Sequence, residues 1–330
     1  MRLSVLLFGG NGMLGRRLVT AFARAGHHVT CACRGTTPVA EEAEFIAVDR
    51  DSANALEPLA DRRWDVAIDL TSHPGFVRDA LGTVDAAHWI YISSASVYAR
   101  GDIFEPDETA PIHPAMADHK LEDLTDYGAA KSACEAAVER LTTHHLIIRP
   151  GLLGGAGDDT GRSGYYPWRF AHPTGPEVVV PMDIGFPLSL LDVTDLTDWI
   201  VHCAEHRITG ILNAAGPTAT LGELLDAAQQ AAGTKLELLP VDAGLLTDAG
   251  AGTWMGPESL PLWAEIPDMP FIGTVGADAA RACGLTHRPL EQTFADALAF
   301  EDSRGGPIAA GAAGLSDDTE ETLRRLARGD

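Results

Sequence analysis

The chain has 330 residues, of which 45% are hydrophobic and 22% are charged, and its formal net charge is −23 at pH 7. This length fits one large domain or two closely joined ones, and the composition is that of a globular protein. An acidic surface repels the phosphates of nucleic acids and of anionic lipids, and no basic cluster offsets it. We therefore expect a small-molecule ligand, with neither nucleic acid nor a membrane as partner.

The cysteines and the first apolar run indicate the cellular compartment of the protein. The five cysteines show no disulfide-framework spacing, which is typical of free thiols in a reducing compartment. The apolar run at residues 3–8 is too short for a signal peptide or a transmembrane span. We expect a cytoplasmic protein that is a monomer or a homodimer.

Residues 3–34 predict a strand, a glycine-rich turn, a helix and a second strand. The apolar run is typical of a parallel strand covered on both faces, and the segment after the turn has one apolar helical face. Glycines recur there at three-residue intervals, and a turn that brings backbone N–H groups against a pyrophosphate has no room for Cβ atoms. We predict a dinucleotide site whose contacts come from the turn and the start of the helix: Gly9, Gly12, Met13, Leu14 and Gly15.

The following elements continue the alternation of strands and helices. Strands are predicted over 44–48, 66–70, 89–93 and 146–148, and helices over about 53–61, 76–85 and 126–141. This alternation predicts an α/β fold with a doubly wound parallel sheet of the Rossmann type. The ligand of such a sheet lies at the carboxyl ends of its strands.

Beyond residue 151 the alternation gives way to a Gly-rich loop, the expected entrance to a substrate-binding part. A helix over 192–203, a strand over 210–213 and a helix over 220–232 follow, and Thr220 and Glu223 have the spacing of a capping box. Residues 240–275 hold many prolines and aromatic residues and are expected to be irregular.

These patterns divide the chain into three parts. Residues 1–151, with about 186–216, are predicted to form the nucleotide-binding Rossmann domain. Residues 152–185 and 217–302 are predicted to form a smaller substrate-binding lobe. Residues 303–330 are expected to be a linker and a weakly docked tail helix over 317–328.

Three side chains carry the predicted chemistry. Tyr127 and Lys131 stand four residues apart on a predicted helix, so both project from one face, and Ser94 ends the predicted strand 89–93. A tyrosine pKa of about 10 is too high for a base near neutral pH, and an adjacent ammonium would lower it. The set suits carbonyl and alcohol interconversion: Tyr127 as general acid or base, Lys131 lowering its pKa and holding ribose, and Ser94 bonded to the reacting oxygen.

In these features the chain resembles the extended or atypical branch of the short-chain dehydrogenase/reductase superfamily, the NAD-dependent epimerase/dehydratase family. The resemblance covers about residues 1–300. It is carried by FGGNGMLG at the glycine turn, Asp49 after the third strand, YISSASVY around Ser94, YGAAK at 127–131 and RPG at 149–151. It implies the following cofactor contacts: Asp49 and Arg50 beside the adenine, Thr71 along the cofactor path, and Pro150 and Gly151 near the nicotinamide.

Two departures from the family pattern are informative. Relatives that prefer NAD end the second strand with an acidic residue, whereas this chain has Arg34 at that point, which suits a 2′-phosphate. We therefore predict NADP(H) rather than NAD(H). The family often places an asparagine on the helix between strands four and five to support proton relay, and residues 75–88 contain none.

Further polar and aromatic residues are candidates for substrate contacts. Arg162 and Arg169 would suit an anionic substrate. Tyr165, Tyr166 and Trp168 either stack on a ring or pack the small lobe. His202 and His206 lack a third ligand, and Cys31 and Cys33 lack a matching cluster, so no metal site is expected.

Three functions are compatible with this sequence. The first is an NADP(H)-dependent oxidoreductase that acts on a carbonyl or alcohol of a small or medium organic molecule. The second is a nucleotide-sugar epimerase or dehydratase with bound NAD. The third is a non-catalytic NADP(H)-binding regulatory protein, against which the Ser94, Tyr127 and Lys131 set argues because a sensor has no need of it.

Overall fold

The structure is a computed structural model and describes residues 2–36, 38–307 and 311–329. Up to residue 150 the described chain alternates short strands with helices. The strands are β1 (Ser4–Phe8), β2 (His28–Cys33), β3 (Glu44–Ala47), β4 (Arg63–Trp64), β5 (Val66–Asp69), β6 (Asp85–Ala86), β7 (Trp89–Ile92) and β8 (His145–Pro150). The helices are α1 (Met13–Arg24), α2 (Glu57–Ala60), α3 (Pro74–Thr83) and α4 (Tyr127–Leu141).

The second half is less regular. Its strands are β9 (Leu152–Gly154), β10 (Glu177–Pro181), β11 (Pro187–Asp192), β12 (Gly210–Ala214), β13 (Thr218–Thr220), β14 (Glu237–Val241), β15 (Gly252–Trp254) and β16 (Ser259–Pro261). Its helices are α5 (Tyr165–Ala171), α6 (Val193–His206), α7 (Leu221–Ala232), α8 (Ala243–Asp248), α9 (Asp278–Ala282), α10 (Leu290–Arg304) and α11 (Asp317–Arg328).

A seven-stranded sheet organises the molecule. Its strand order is β12-β8-β7-β5-β1-β2-β3, and every neighbouring pair is parallel. The order grows outward in both directions from β1, as in a doubly wound sheet, so the predicted Rossmann-type fold is confirmed. The carboxyl ends of β1 and β5 meet where the order reverses.

Helices cover both faces of this sheet because its central strands are apolar on both faces. On one face, Leu7 of β1 packs in a core with Leu18 of α1 and Trp199 of α6. On the opposite face, the neighbouring Leu6 packs with residues of α2 and α3. Consecutive side chains of β1 therefore pack in two different cores, one on each face of the sheet.

The second half has its own core and small sheets. β9, β11 and β13 form a three-stranded sheet, while β10 pairs with β14 and β15 with β16. Their apolar residues pack with α5, α7 and α10 in one buried cluster. Thr220 caps α7 and Glu223 completes the predicted capping box. The division into nucleotide and substrate parts stays a prediction.

Two of the predicted elements differ from the structure. The helix predicted over 53–61 is reduced to the single turn α2, with Pro58 in its first turn. The proline-rich stretch 240–275 is not wholly irregular, because β14 ends in it and α8, β15 and β16 lie within it.

The tail helix is not weakly docked, so that expectation is wrong. α11 has the predicted bounds, yet Glu320, Leu323 and Arg324 on its inner face are buried. Glu320 is fully buried and pairs with Arg169 at 3.1 Å and with Arg324 at 3.3 Å. Arg169 comes from a distant part of the chain, and local sequence does not reveal this contact. Residues 308–310 of the predicted linker lie outside the described residues.

No helix in the described parts of the chain has both the length and the apolarity needed to cross a membrane.

Candidate active site

The glycine turn joins β1 to α1 at the centre of the sheet. Gly9 has a φ of +97°, a left-handed conformation that favours glycine. A Cβ on Gly15 would lie 2.2 Å from the Gly9 carbonyl oxygen, so the helix packs directly on the turn. Gly12 is the N-cap of α1 and has no side-chain cap, which leaves the first N–H groups of the helix available. These features fit a dinucleotide pyrophosphate.

A cavity of about 1300 Å³ opens in front of this turn. It is lined by the turn, by residues at the carboxyl ends of β2, β3, β5 and β7, by the start of α4, and by residues 253–255 and 271–275. All of the predicted cofactor contacts line it: Gly9, Gly12, Met13, Leu14, Gly15, Arg34, Asp49, Arg50, Thr71, Lys131, Pro150 and Gly151. The size and the position at the carboxyl edge fit a dinucleotide together with a substrate.

Arg34 and Arg50 differ in their surroundings. Arg34 is exposed just past the end of β2. Arg50 donates to Asp69 at 2.9 and 3.1 Å, and its guanidinium lies over the rings of Phe8 and Phe76. Arg50 is therefore committed to the cavity wall, whereas Arg34 is exposed to solvent at the rim of the cavity.

Tyr127 begins α4 and Lys131 lies one turn later. The Lys131 ammonium donates to the Thr71 carbonyl at 3.0 Å and to the Ile92 carbonyl at 2.7 Å. It lies 5.9 Å from the centre of the Tyr127 ring. Burial lowers the pKa of Lys131 to about 8, and nearby negative charges, among them Asp69 and Glu135, only partly offset the lost hydration.

The expected lowering of the Tyr127 pKa is not met in this structure, where Lys131 is not among the main influences on the phenol, and the role of Lys131 stays a prediction. Burial raises the pKa of Tyr127 above its ordinary value, and hydrogen bonding with the Ser94 and Ser72 hydroxyls only partly offsets it. The positive charge of Arg162 acts in the same direction as the two hydroxyls. The phenol is thus protonated and surrounded by donors and acceptors.

Ser94 lies where the sequence places it, after the end of β7. Its hydroxyl accepts from the Ser96 N–H and donates to the Ser96 hydroxyl, both at 3.1 Å, and so caps a short 3₁₀ turn. A Cβ on Gly128 would lie 2.3 Å from the Ser96 carbonyl oxygen, so α4 packs tightly against this turn. The close packing holds Ser94 beside Tyr127.

A buried ion pair supports α4 from behind. Arg149 of β8 donates to Glu135 of α4 at 2.7 and 3.0 Å, and both side chains are almost wholly buried. Arg149 also donates to the Tyr98 hydroxyl at 3.2 Å, which in turn donates to Asn213 at 2.6 Å. This network joins the tyrosine helix, the Ser94 turn and β12.

Three of the predicted substrate residues lie elsewhere, and those predictions are wrong. Tyr165 is buried in the second core with its neighbour Tyr166. Trp168 stacks on His172 with ring centres 3.8 Å apart. Arg169 is buried and binds the tail helix through Asp317 and Glu320. Each residue type also serves packing, and the sequence offered no way to distinguish the two roles.

Other features of the site escaped the sequence analysis. Ser72, beside Tyr127, follows β5 in a loop with no periodic signal. The apolar side chains of the second half that line the cavity lie in an irregular stretch, where no pattern shows which residues face inward. Arg162, in contrast, was predicted and does line the cavity.

Within the described residues there is no group of three or more His, Cys, Asp or Glu side chains arranged to hold a metal ion.

The fold and the site define a dinucleotide-binding α/β protein with a serine, a tyrosine and a lysine at the carboxyl edge of the sheet. The family model described as "NAD dependent epimerase/dehydratase family" matches residues 5–215, and the chain belongs to this family. It thereby falls in the extended branch of the short-chain dehydrogenase/reductase superfamily. A search of curated proteins found no match.

Solved structures share the fold at low sequence identity. The Bordetella bronchiseptica enzyme WbmG in complex with NAD and UDP has a TM-score of 0.68 at 17% identity, covering 93% of this chain and 98% of that one. UDP-glucuronic acid 4-epimerase from Bacillus cereus in complex with NAD has a TM-score of 0.65 at 14% identity, covering 91% and 99%. UDP-glucose 4-epimerase from Thermotoga maritima with UDP-glucose has a TM-score of 0.65 at 14% identity, covering 91% and 99%.

Proposed function

We propose that the protein is an NAD(P)-dependent enzyme that interconverts a carbonyl and a secondary alcohol, with Tyr127 as general acid or base. One observation carries the proposal. The Tyr127 phenol, with hydroxyl neighbours and Lys131 beneath it, faces the same cavity as a glycine turn suited to a dinucleotide. Family membership supports it.

The residues of the chain act on the reacting oxygen. Ser94 and Tyr127 hydrogen-bond the substrate oxygen, and the buried phenol, whose pKa is raised, is present as the acid. In the reducing direction Tyr127 gives its proton to that oxygen, and it takes the proton back in the oxidising direction. The bound nicotinamide supplies or accepts the hydride.

Lys131 and the buried network keep this arrangement in place. Lys131 is held by two backbone carbonyls at the ends of neighbouring strands, which fixes its ammonium below the site. The Arg149 and Glu135 pair anchors α4, so the phenol reaches the cavity from a rigid element. Precise placement of an acid contributes to rate as much as its pKa does.

Replacement of Tyr127 by Phe tests the catalytic assignment. Removal of a positioned acid lowers turnover by about 10² to 10⁴-fold, and we expect a loss in this range. The dissociation constant for the cofactor should stay within about twofold, because the ring remains. Tyr166→Phe, in the second core and outside the cavity lining, is a control for the loss of a tyrosine hydroxyl. Full activity of Tyr127→Phe would overturn the proposal.

Two combinations of cofactor and reaction are candidates for this protein. An NADP(H)-dependent reductase is supported by Arg34, an exposed arginine that lines the cavity where a 2′-phosphate would lie. A nucleotide-sugar epimerase or dehydratase with bound NAD is supported by the family and by structural neighbours that were solved with NAD or with UDP-glucose. The comparisons favour the second candidate, and the residue at the end of β2 favours the first.

Cofactor titrations separate these candidates. If the reductase form is correct, NADPH binds at least tenfold more tightly than NADH, and Arg34→Ser removes that preference. Arg63→Ser is the matched control, since Arg63 is 80% exposed and does not line the cavity. Tighter NADH binding would refute the NADP(H) preference, and NAD retained through purification would favour the epimerase form.

A further inference from the structure

The part of the cavity formed by the second half of the chain carries little charge. Arg162 and Asp158 are the charged residues that residues 151–162 and 253–275 contribute to its described lining. Asp158 is turned away from it, because its carboxylate accepts from the Ser163 N–H and hydroxyl at 2.9 and 2.8 Å and from the Thr160 N–H at 3.0 Å. Arg162 is therefore the charge that this wall presents to a ligand.

The Arg162 guanidinium is free to bind an anion. Its Nε donates to the Thr160 hydroxyl at 3.1 Å, and its Cζ lies 5.9 Å from the centre of the Trp254 ring. No carboxylate lies within 4 Å of it in the part of the chain that the structure describes. A planar fork backed by an aromatic ring suits a carboxylate or a phosphate oxygen pair.

The other arginine on this side of the cavity is already engaged. Arg100 holds Asp102 with two hydrogen bonds of 2.9 and 2.5 Å. A nucleoside diphosphate carries two adjacent phosphates, which favour more than one available cation. The second half of the chain contributes one available cation, Arg162, to the cavity lining.

Exposed apolar side chains also lie on this wall and continue onto Leu124 of the first half. Leu124, Met255, Ile266 and Ile272 are exposed by 80%, 55%, 42% and 40%, and all four line this one cavity. Such a patch on a strongly acidic protein marks a ligand surface. Trp254, which precedes Met255 and also lines the cavity, has a φ of 73°, a strained backbone that is typical of functional sites.

We propose that the substrate is an amphipathic carbonyl or hydroxy compound with an apolar body and one anionic oxygen group bound by Arg162, and not a nucleoside diphosphate sugar. This inference rests on the proposed redox function for the identity of the reacting group. The apolar body covers Leu124, Met255, Ile266 and Ile272, and the anionic group lies between Arg162 and Trp254.

Equilibrium binding to the protein saturated with NADP⁺ tests this without turnover. The probes share a phenyl body: 4-phenyl-2-butanone is neutral, 3-benzoylpropionate carries a carboxylate, and phenacyl phosphate carries a phosphate monoester. UDP-glucose is the fourth probe. We expect at least tenfold tighter binding of one anionic phenyl ketone than of the neutral ketone and of UDP-glucose, and the better of the two anions identifies the source of the anionic group.

Variants locate the binding. Arg162→Gln should abolish the preference for the anion, Arg162→Lys should retain part of it, and Ile266→Ser should weaken all phenyl probes alike. Arg100→Gln, the matched control, should leave binding unchanged. Tighter binding of UDP-glucose, or an anion preference that survives both Arg162 variants, would overturn the proposal. If the anionic probe binds as expected but Tyr127→Phe retains full turnover, the proposed function fails, and the assignment of the anionic group to Arg162 and of the apolar body to this wall stands.

Discussion

Gly12 and Gly15, at the start of α1, allow effects on protein stability to be separated from effects on cofactor binding. A Cβ on Gly15 would lie 2.2 Å from the Gly9 carbonyl oxygen and 2.8 and 2.9 Å from backbone carbons of Gly10. These neighbours are backbone atoms and cannot rotate away. We expect Gly15→Ala to lower the free energy of unfolding by about 1–3 kcal/mol, the usual cost of overpacking, and to distort the turn.

Gly12 has no atom within 4 Å of the place where its Cβ would be, and its φ of −77° suits any residue. Gly12→Ala should therefore change the free energy of unfolding by less than about 1 kcal/mol, the preference of a helix N-cap for glycine over alanine. The added methyl group faces the cavity in front of the first helical N–H groups. We expect the dissociation constant of the cofactor to rise at least tenfold, or about 1.4 kcal/mol.

The measurements are urea unfolding and titration of NADPH and NADH against the tryptophan fluorescence of each variant. Both variants should lose cofactor affinity, and only Gly15→Ala should lose stability. Unchanged affinity in Gly12→Ala would refute the assignment of this turn to the dinucleotide. Unchanged stability in Gly15→Ala would refute the steric argument.

Two further predictions concern buried charges. Because the pKa of Lys131 falls from 10.5 to about 8 on folding, the folded state binds fewer protons between these values, and stability rises with pH in this window. The free energy of unfolding of the wild type, relative to that of Lys131→Met, should rise by roughly 3 kcal/mol from pH 8 to pH 10.5. If urea unfolding shows the same difference between the two proteins at both pH values, this prediction is contradicted. Glu320→Gln should lower the free energy of unfolding by about 3 kcal/mol, measured by calorimetry, because it leaves Arg169 and Arg324 buried with too little negative charge. The control Glu321→Gln, at a site 60% exposed, should lower it by less than about 1 kcal/mol. Equal losses in the two variants would show that burial does not decide the effect.

The parts of the fold that were predictable depend on local pattern. Apolar runs and helical spacing located all seven strands of the main sheet, and glycine spacing located the cofactor turn. The four-residue spacing of Tyr127 and Lys131 placed them on one helix. Each of these signals lies within a short stretch of chain, so tertiary contacts were not needed to interpret it.

The parts that were missed depend on contacts between distant segments. The buried role of Arg169 requires the tail helix, which lies about 150 residues away in sequence. The raised pKa of Tyr127 results from burial by neighbouring segments, which outweighs the Ser94 and Ser72 hydroxyls and the charge of Arg162. Composition and spacing give the residue types of a site, and the packing of the chain decides which of them face it.

The edge strand β12 has a consequence for the order in which the nascent chain folds. It pairs with β8 although residues 151–209 separate them, so the sheet is complete only after residue 214 has left the ribosome. The Asn213 side chain of this strand accepts a hydrogen bond from the Tyr98 hydroxyl and donates hydrogen bonds to the Pro106 and Gly276 carbonyls. The segment from Ser94 to Glu108 therefore lacks its final anchor until translation is well past the midpoint. We expect ribosome-bound chains that stop before β12 to be cleaved by protease within this segment.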